Sequence, residues 1–191
     1  MADEVREENH ESDATDGPDA TDGDEVVAAL VARFPGAVFA DSHGQPVVYL
    51  APSQLAEAAS YLRDDEAFTM CVDVTAVDHL GDGTRYCPAG VDPERFEVVV
   101  NLLSHTRNRR MRLICEVPVS DDGATVPSLT PVYPGVNFAE REVYDLYGIA
   151  FDGHPDLTRI LMPDDWVGHP LRKDDPPARV PVTFKGDPSP R

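Results

Sequence analysis

Two neighbouring stretches constrain this chain more than any others: "RFEVVVNLLSH" (95–105) and "RMRLICEVPV" (110–119). The first is a nearly continuous valine-rich run, the pattern of a central strand. The second alternates, with Met111, Leu113, Cys115 and Val117 on one face and Arg112, Ile114 and Glu116 on the other. Only the polar turn "TRNRR" separates them, so they read as an antiparallel pair around which the rest must be built. "AVFADSHGQPVVYL" (37–50) adds two short strands about a turn containing Gly44, and "FTMCVDVTAVDHL" (68–80) adds another. Helical spacing appears in "EVVAALVARFP" (25–35), which Pro35 and Gly36 end. It recurs in "PSQLAEAASYLRDD", with Leu55, Ala58, Ala59 and Leu62 on one face. The expected fold is α+β: a small mixed or antiparallel sheet packed with helices, followed by an extended C-terminal arm.

Charge and cysteine usage narrow the function. The 191 residues carry a formal charge of -19. Residues 1–25 hold eleven Asp/Glu against one Arg and have no apolar run, so they read as a disordered acidic tail. They lack the apolar core of a signal peptide. The folded domain is expected over 26–151 and the arm over 152–191. An acidic body disfavours nonspecific nucleic-acid binding, and no apolar run is long enough to cross a bilayer. Cys71, Cys87 and Cys115 are odd in number, widely spaced and without a C-x-x-C, which argues against disulfide, zinc or iron–sulfur frameworks. Arg107, Arg109, Arg110 and Arg112 concentrate positive charge in the strand-pair turn. They read as a solvated turn or as donors for carboxylates on a neighbour.

The densest polar motif is "EREVYDLYGI" (140–149). Asn137 suits a helix N-cap with Glu140 three residues on, as in a capping box. Phe138 is placed against the early core, Val143, Leu146 and Tyr147 form an apolar stripe, and Gly148 suits the C-cap. Arg141 precedes Asp145 by four residues and is expected to pair with it, which works against Asp145 as a neutral catalytic acid. Glu142 shares a helix side with Asp145. No Gly-x-Gly-x-x-Gly, Walker A, G-x-S-x-G or H-E-x-x-H sequence occurs. His154 and His169 repeat a Gly-His-Pro context and, with Asp156, form the paper basis for a stand-alone metal-dependent enzyme. The simpler reading gives each imidazole a backbone carbonyl at a turn. The arm is rich in proline and aperiodic, with Ile160, Leu161, Trp166 and Phe184 as candidate anchors on another subunit.

The stretch 133–177, with "EREVYDLYGI", "GHPDLTRIL" and "GHPLRKD", closely resembles the signature of a known family: the 30-kilodalton, or C, subunit of proton-pumping NADH:quinone oxidoreductase, respiratory complex I. Weaker likeness extends over about residues 25–180. The resemblance implies a subunit of the peripheral arm, on the cytoplasmic side of the cell membrane, touching the membrane only through the assembly. It implies no catalytic residue, metal or cofactor in this chain, with FMN, iron–sulfur clusters and quinone held by partner subunits. The implied partners are the D subunit, which the C-terminal arm wraps near the quinone site, then the B subunit and, as a further contact, the I subunit. Carried over as folding and docking residues are Glu140, Arg141, Glu142, Asp145, Gly148, His154, Pro155, Arg159, Trp166, His169, Pro170, Leu171, Arg172, Lys173 and Asp174. Phe138 and Ala139 depart from the family's usual aromatic pair. The acidic leader and the Gly/Pro-containing loop at 84–93 look like additions. No D-like sequence follows Arg191, which reads as a separate C subunit rather than a C–D fusion. Ferredoxin- or F420-linked complexes and membrane-bound hydrogenases carry related subunits and stand as the alternative.

Overall fold

A computed structural model describes residues 20–175. Its centre is the expected strand pair, β4 (Phe96–Ser104) and β5 (Arg109–Val117), antiparallel from Phe96↔Val117 to Ser104↔Arg109. Around it lie β1 (Val38–Ser42), β2 (Gln45–Leu50) and β3 (Met70–Asp78), giving a five-stranded sheet in the order β1-β2-β5-β4-β3. β2 pairs with β5 in parallel while the other neighbours are antiparallel, so the sheet is mixed and the fold is α+β, as the sequence implies. β3 carries a bulge between Cys71 and Asp73.

The alternation of β5 decides which face is covered. Met111, Leu113, Cys115 and Val117 meet Val98, Val100, Leu102 and Phe96 in the main core. Helix α1 (Ala20–Arg33) lays Val26, Val27 and Leu30 on that face. Helix α2 (Leu55–Asp64), entered through a 3-10 turn at Pro52–Gln54, adds Leu55, Ala58, Ala59 and Leu62, the predicted stripe. On the opposite face Val47, Val99 and Ile114 form a smaller cluster with Ala40 and Tyr49. There the loop 81–94 sends Arg85 to Glu97 at 3.0 Å and to Glu116 at 2.6 Å, which pairs two carboxylates of the sheet. Burial pushes the thiols of Cys71 and Cys115 up to about 12, as suits small core residues.

The ends of the domain differ from the expected outline. α1 begins at Ala20, inside the stretch read as tail; residues 1–19 lie outside the described residues, as do Phe184 and the rest of 176–191. Residues 124–127 form strand β6 (Ala124–Pro127). β6 pairs in parallel with β7 (Ile149–Asp152), and helix α3 (Asn137–Tyr147) is the crossover between them. Four-residue strands give too little alternation to read, and only the crossover brings these two together.

Candidate interface at the signature helix

The motif at 140–149 is helix α3 and its exit. Its carboxylates do not act as the local pattern suggests. The residue preceding the helix is Val136, and no side chain caps the N-terminus. Glu140, fully buried, instead reaches the chain leaving β6: it accepts from the Ser128 hydroxyl and the Leu129 N–H, both at 2.6 Å. Burial raises its pKa, and these bonds together with nearby His154 only partly oppose the shift. Phe138 is 64% exposed rather than seated in the core, so Glu140 and Val143 form the buried side of the helix.

Asp145 lies in the last turn, where the helix dipole opposes a negative charge. Its partner is not Arg141 but Arg159, at 2.6 Å. Its second oxygen accepts the N–H groups of Ile160, Leu161 and Met162 at 3.0, 2.7 and 2.8 Å. Burial alone would raise the Asp145 pKa. The Met162 and Leu161 amides, Arg159 and the Ile160 amide outweigh it and lower the carboxyl to about 2. Arg141 turns outward along the chain and donates to the carbonyls of Thr158 and Arg159. Four residues of spacing on a helix make Arg141 the natural partner; a contact fourteen residues away displaces it.

The helix exit is closed by the second signature. Gly148 takes the left-handed conformation, φ +70°, and a Cβ there would sit 2.5 Å from Arg172 Nη2 and His169 Nε2. His169 Nδ1 donates to the Asp145 carbonyl at 2.9 Å, and the Leu171 N–H to the Leu146 carbonyl at 3.0 Å. Arg172 donates to the carbonyls of Tyr147 and Gly148 at 2.5 and 3.2 Å. The orphan carbonyls of the last helical turn are thus capped by residues 169–172, two of them by a cation, which also suits the dipole. Trp166 is half-buried, with its backbone N–H on the Pro163 carbonyl. The His169 N–H is held by Asp175.

A third carboxylate fastens the far end. Asp78, at the end of β3 and 3% exposed, accepts from Arg95, from the Leu80 N–H and from the Lys173 N–H at 2.9 Å. Burial pulls its pKa up, but Arg95 and the Lys173 and Leu80 amides overcome this and lower it to about 2. Arg95 also pairs with Asp174. The guanidiniums of Arg95 and Arg172 lie 4.7 and 5.5 Å from the centre of the Phe96 ring. Asp78, Arg95, Phe96, Ser128 and Asp175 escape the sequence reading of this site. They are scattered through the chain, and only the third dimension joins them. Residues 159–174 therefore form a clasp strapped across α3 and the ends of β3 and β4.

His154 belongs to the base of this arrangement. Its Nε2 donates to the Asn137 carbonyl at 3.2 Å, and its Nδ1 accepts the Asp156 N–H at 3.0 Å. Both imidazoles of the Gly-His-Pro repeats are thus engaged by backbone, and among the described residues no three His, Cys, Asp or Glu side chains gather as a metal cluster. Pro155, Pro170 and Lys173 are exposed. Glu142, exposed, lines a groove of about 130 Å³ between α3 and β3 with Asp73, Thr75 and Tyr147. On the outer side of the clasp Ile160, Leu161, Val167 and Leu171 are 37, 54, 91 and 49% exposed. Four large apolar side chains around one rigid strap make a surface suited to protein contact.

The signature polar groups thus hold the chain's own backbone and leave apolar side chains outside, a surface suited to protein contact. The chain is a member of the respiratory-chain NADH dehydrogenase 30 Kd subunit family, whose model matches residues 48–180. The C subunit of NADH-quinone oxidoreductase from Salinispora arenicola is 44% identical over 171 residues, covering 85% of this chain and 65% of that protein. The C subunit from Roseiflexus sp. is 42% identical over 169 residues, covering 86% of this chain and 90% of that protein. This chain thus spans 65% of the length of its Salinispora relative. Among solved structures, a trypsin-resistant fragment of Nqo5 matches 70% of this chain and 98% of its own, with 32% identity and a TM-score of 0.58. The archaeal membrane-bound sulfane sulfur reductase shares the fold, with 22% identity and a TM-score of 0.55.

Proposed function

We propose that this chain is the C subunit of a proton-translocating NADH:quinone oxidoreductase, a peripheral subunit that carries no redox centre. In this reading it clamps the D and B subunits near the quinone site, with the I subunit as a further contact, on the cytoplasmic side of the membrane. FMN, the iron–sulfur clusters and quinone belong to the partners. The observation that carries the reading is the family match over 48–180, which takes in β3, β4, β5 and the complete clasp. The names of the relatives, each a C subunit of NADH-quinone oxidoreductase, point the same way.

The physical role follows from the clasp. A strap already fixed by Asp145, Asp78 and the α3 carbonyls presents Ile160, Leu161, Val167 and Leu171 without losing much further entropy on docking. Such preorganised apolar contacts favour a long-lived complex. The test is to tag the chain in its host, extract membranes with mild detergent and identify what co-purifies. The reading expects a large assembly with D- and B-type subunits and a flavin subunit. Recovery with ferredoxin-, F420- or hydrogenase-type subunits would replace the electron donor, and recovery of the chain alone would overturn the assignment.

A further inference from the structure

The outer face of the five-stranded sheet, turned away from the main core, is covered over only part of its length. Strand register sets its side chains in rows across β3, β4 and β5. The first row is Met70, Leu103 and Arg110, the second is Asp73, Asn101 and Arg112, and the last ends on Glu97 and Glu116. The loop 81–94 folds over the last row, where Arg85 binds both carboxylates and Gly90 lies against Val38. The first two rows stay open. Met70 is 45% exposed, Arg110 and Asp73 are exposed, and Leu103 and Arg112 are half-buried.

The open part is opposite in sign to the chain as a whole. Arg110 and Arg112 stand two residues apart on β5, so both side chains rise from this face about 7 Å apart. With Gln45 and Asn101 they line a groove of about 190 Å³. Arg112 Nε donates to Asn101 Oδ1 at 3.2 Å, which orients the guanidinium and leaves its terminal nitrogens as a fork. Arg85, Arg95, Arg107 and Arg159 each hold a carboxylate. Among the described residues Arg110 and Arg112 hold none, in a chain with 35 Asp and Glu against 16 Lys and Arg. The carboxylate in register with Arg112 is Asp73, two strands away across Asn101, about 10 Å at the ordinary strand spacing.

We infer that the open part of this sheet face is a docking surface for an acidic, amphipathic segment of a partner protein. The partner's carboxylates pair with Arg110 and Arg112, for which a guanidinium fork is the matching donor. Its apolar side chains cover Met70 and Leu103. That combination selects such a segment over a nucleic acid, whose run of phosphates would meet a formal charge of -19 and leave the apolar pair uncovered. The surface lies at the end of β3 opposite Asp78, where the clasp is fastened, so both surfaces can be engaged at once. The inference does not depend on the proposed function.

The test titrates the isotope-labelled full chain with a short synthetic peptide alternating Glu with Leu. The methyl signals of Met70 and Leu103 and the side-chain N–H signals of Arg110 and Arg112 should shift, and affinity should fall as salt is raised. The same peptide with Lys in place of Glu should leave those signals unmoved. Arg110→Glu, at an exposed position, keeps the fold and should weaken binding of the acidic peptide about ten-fold. No binding of the acidic peptide, equal binding by the native chain and Arg110→Glu, or shifts confined to other faces would overturn the inference. Vesicles of anionic phosphatidylglycerol are the third probe. Shifts at these residues with vesicles but not with the peptide would overturn the protein partner in favour of a membrane surface.

Discussion

Asp145 shows how far a single carboxylate can organise a fold. It neutralises Arg159, gathers three consecutive amides and does so fully buried. Replacing it with Ala leaves four donors without their acceptor, and an equilibrium urea titration should show a loss of about 3 kcal/mol. The pH dependence has a defined sign. Asp145 and Asp78 both have folded pKa values lowered to about 2, below an unfolded value near ~3.9. Each contributes about 2 kcal/mol that is fully present above about pH 5 and lost as pH falls towards 2. Unfolding midpoints followed from neutral to acid pH should fall steeply, and Asp145→Asn or Asp78→Asn should flatten that limb. Glu140 acts in the opposite sense. Its raised pKa makes its stabilising form the protonated one, complete below the unfolded value and lost as pH rises through the folded one. Glu140→Gln should therefore narrow its deficit, or exceed the native chain, as pH increases. Asp145 is legible as an ion-paired residue from its sequence, but its partner is not. Local spacing nominates Arg141, whereas the tertiary contact selects Arg159.

Among the elements, α3 and the clasp are two halves of one structure. The aperiodic, proline-rich composition of the arm suggests a segment free to lie on another subunit. In the structure residues 159–174 are bonded to their own body, and only the outer apolar side chains remain available. Periodicity reports regular hydrogen bonding, and the clasp has none: its amides go to side-chain carboxylates and helix-end carbonyls. A chain ended after Asp152 should consequently retain the sheet but melt at lower temperature, since Asp145 and the α3 carbonyls lose their partners and Asp78 loses the Lys173 amide. An unchanged melting temperature would mean that the clasp adds nothing to the fold. Gly148→Ala tests the joint directly. The left-handed backbone and the 2.5 Å approach of Arg172 and His169 both oppose a Cβ, so denaturant unfolding should report a loss of about 2 kcal/mol.

At the level of the whole molecule, the sheet and its two packing helices are largely readable because their apolar periods are clean. Met111, Leu113, Cys115 and Val117 fall inward as their alternation requires, and Leu55, Ala58, Ala59 and Leu62 do so on α2. The β6–β7 pair is not readable, since each strand is four residues long and their pairing depends on α3. The family signature locates the site, while its inward role emerges only from the contacts. The same division predicts how the surface behaves. Leu161→Asp and Val167→Asp, at exposed positions, should leave the melting temperature within about a degree or two yet reduce capture of the partner subunits. The central claim is that the signature residues first build a clasp within this chain and then present it. Its most direct measurement is amide hydrogen exchange on the isolated protein. The amides of Ile160, Leu161 and Met162 should be protected without any partner present, and Asp145→Ala should release them. Exchange at unprotected rates in the isolated native chain would contradict the claim and make the clasp a product of assembly.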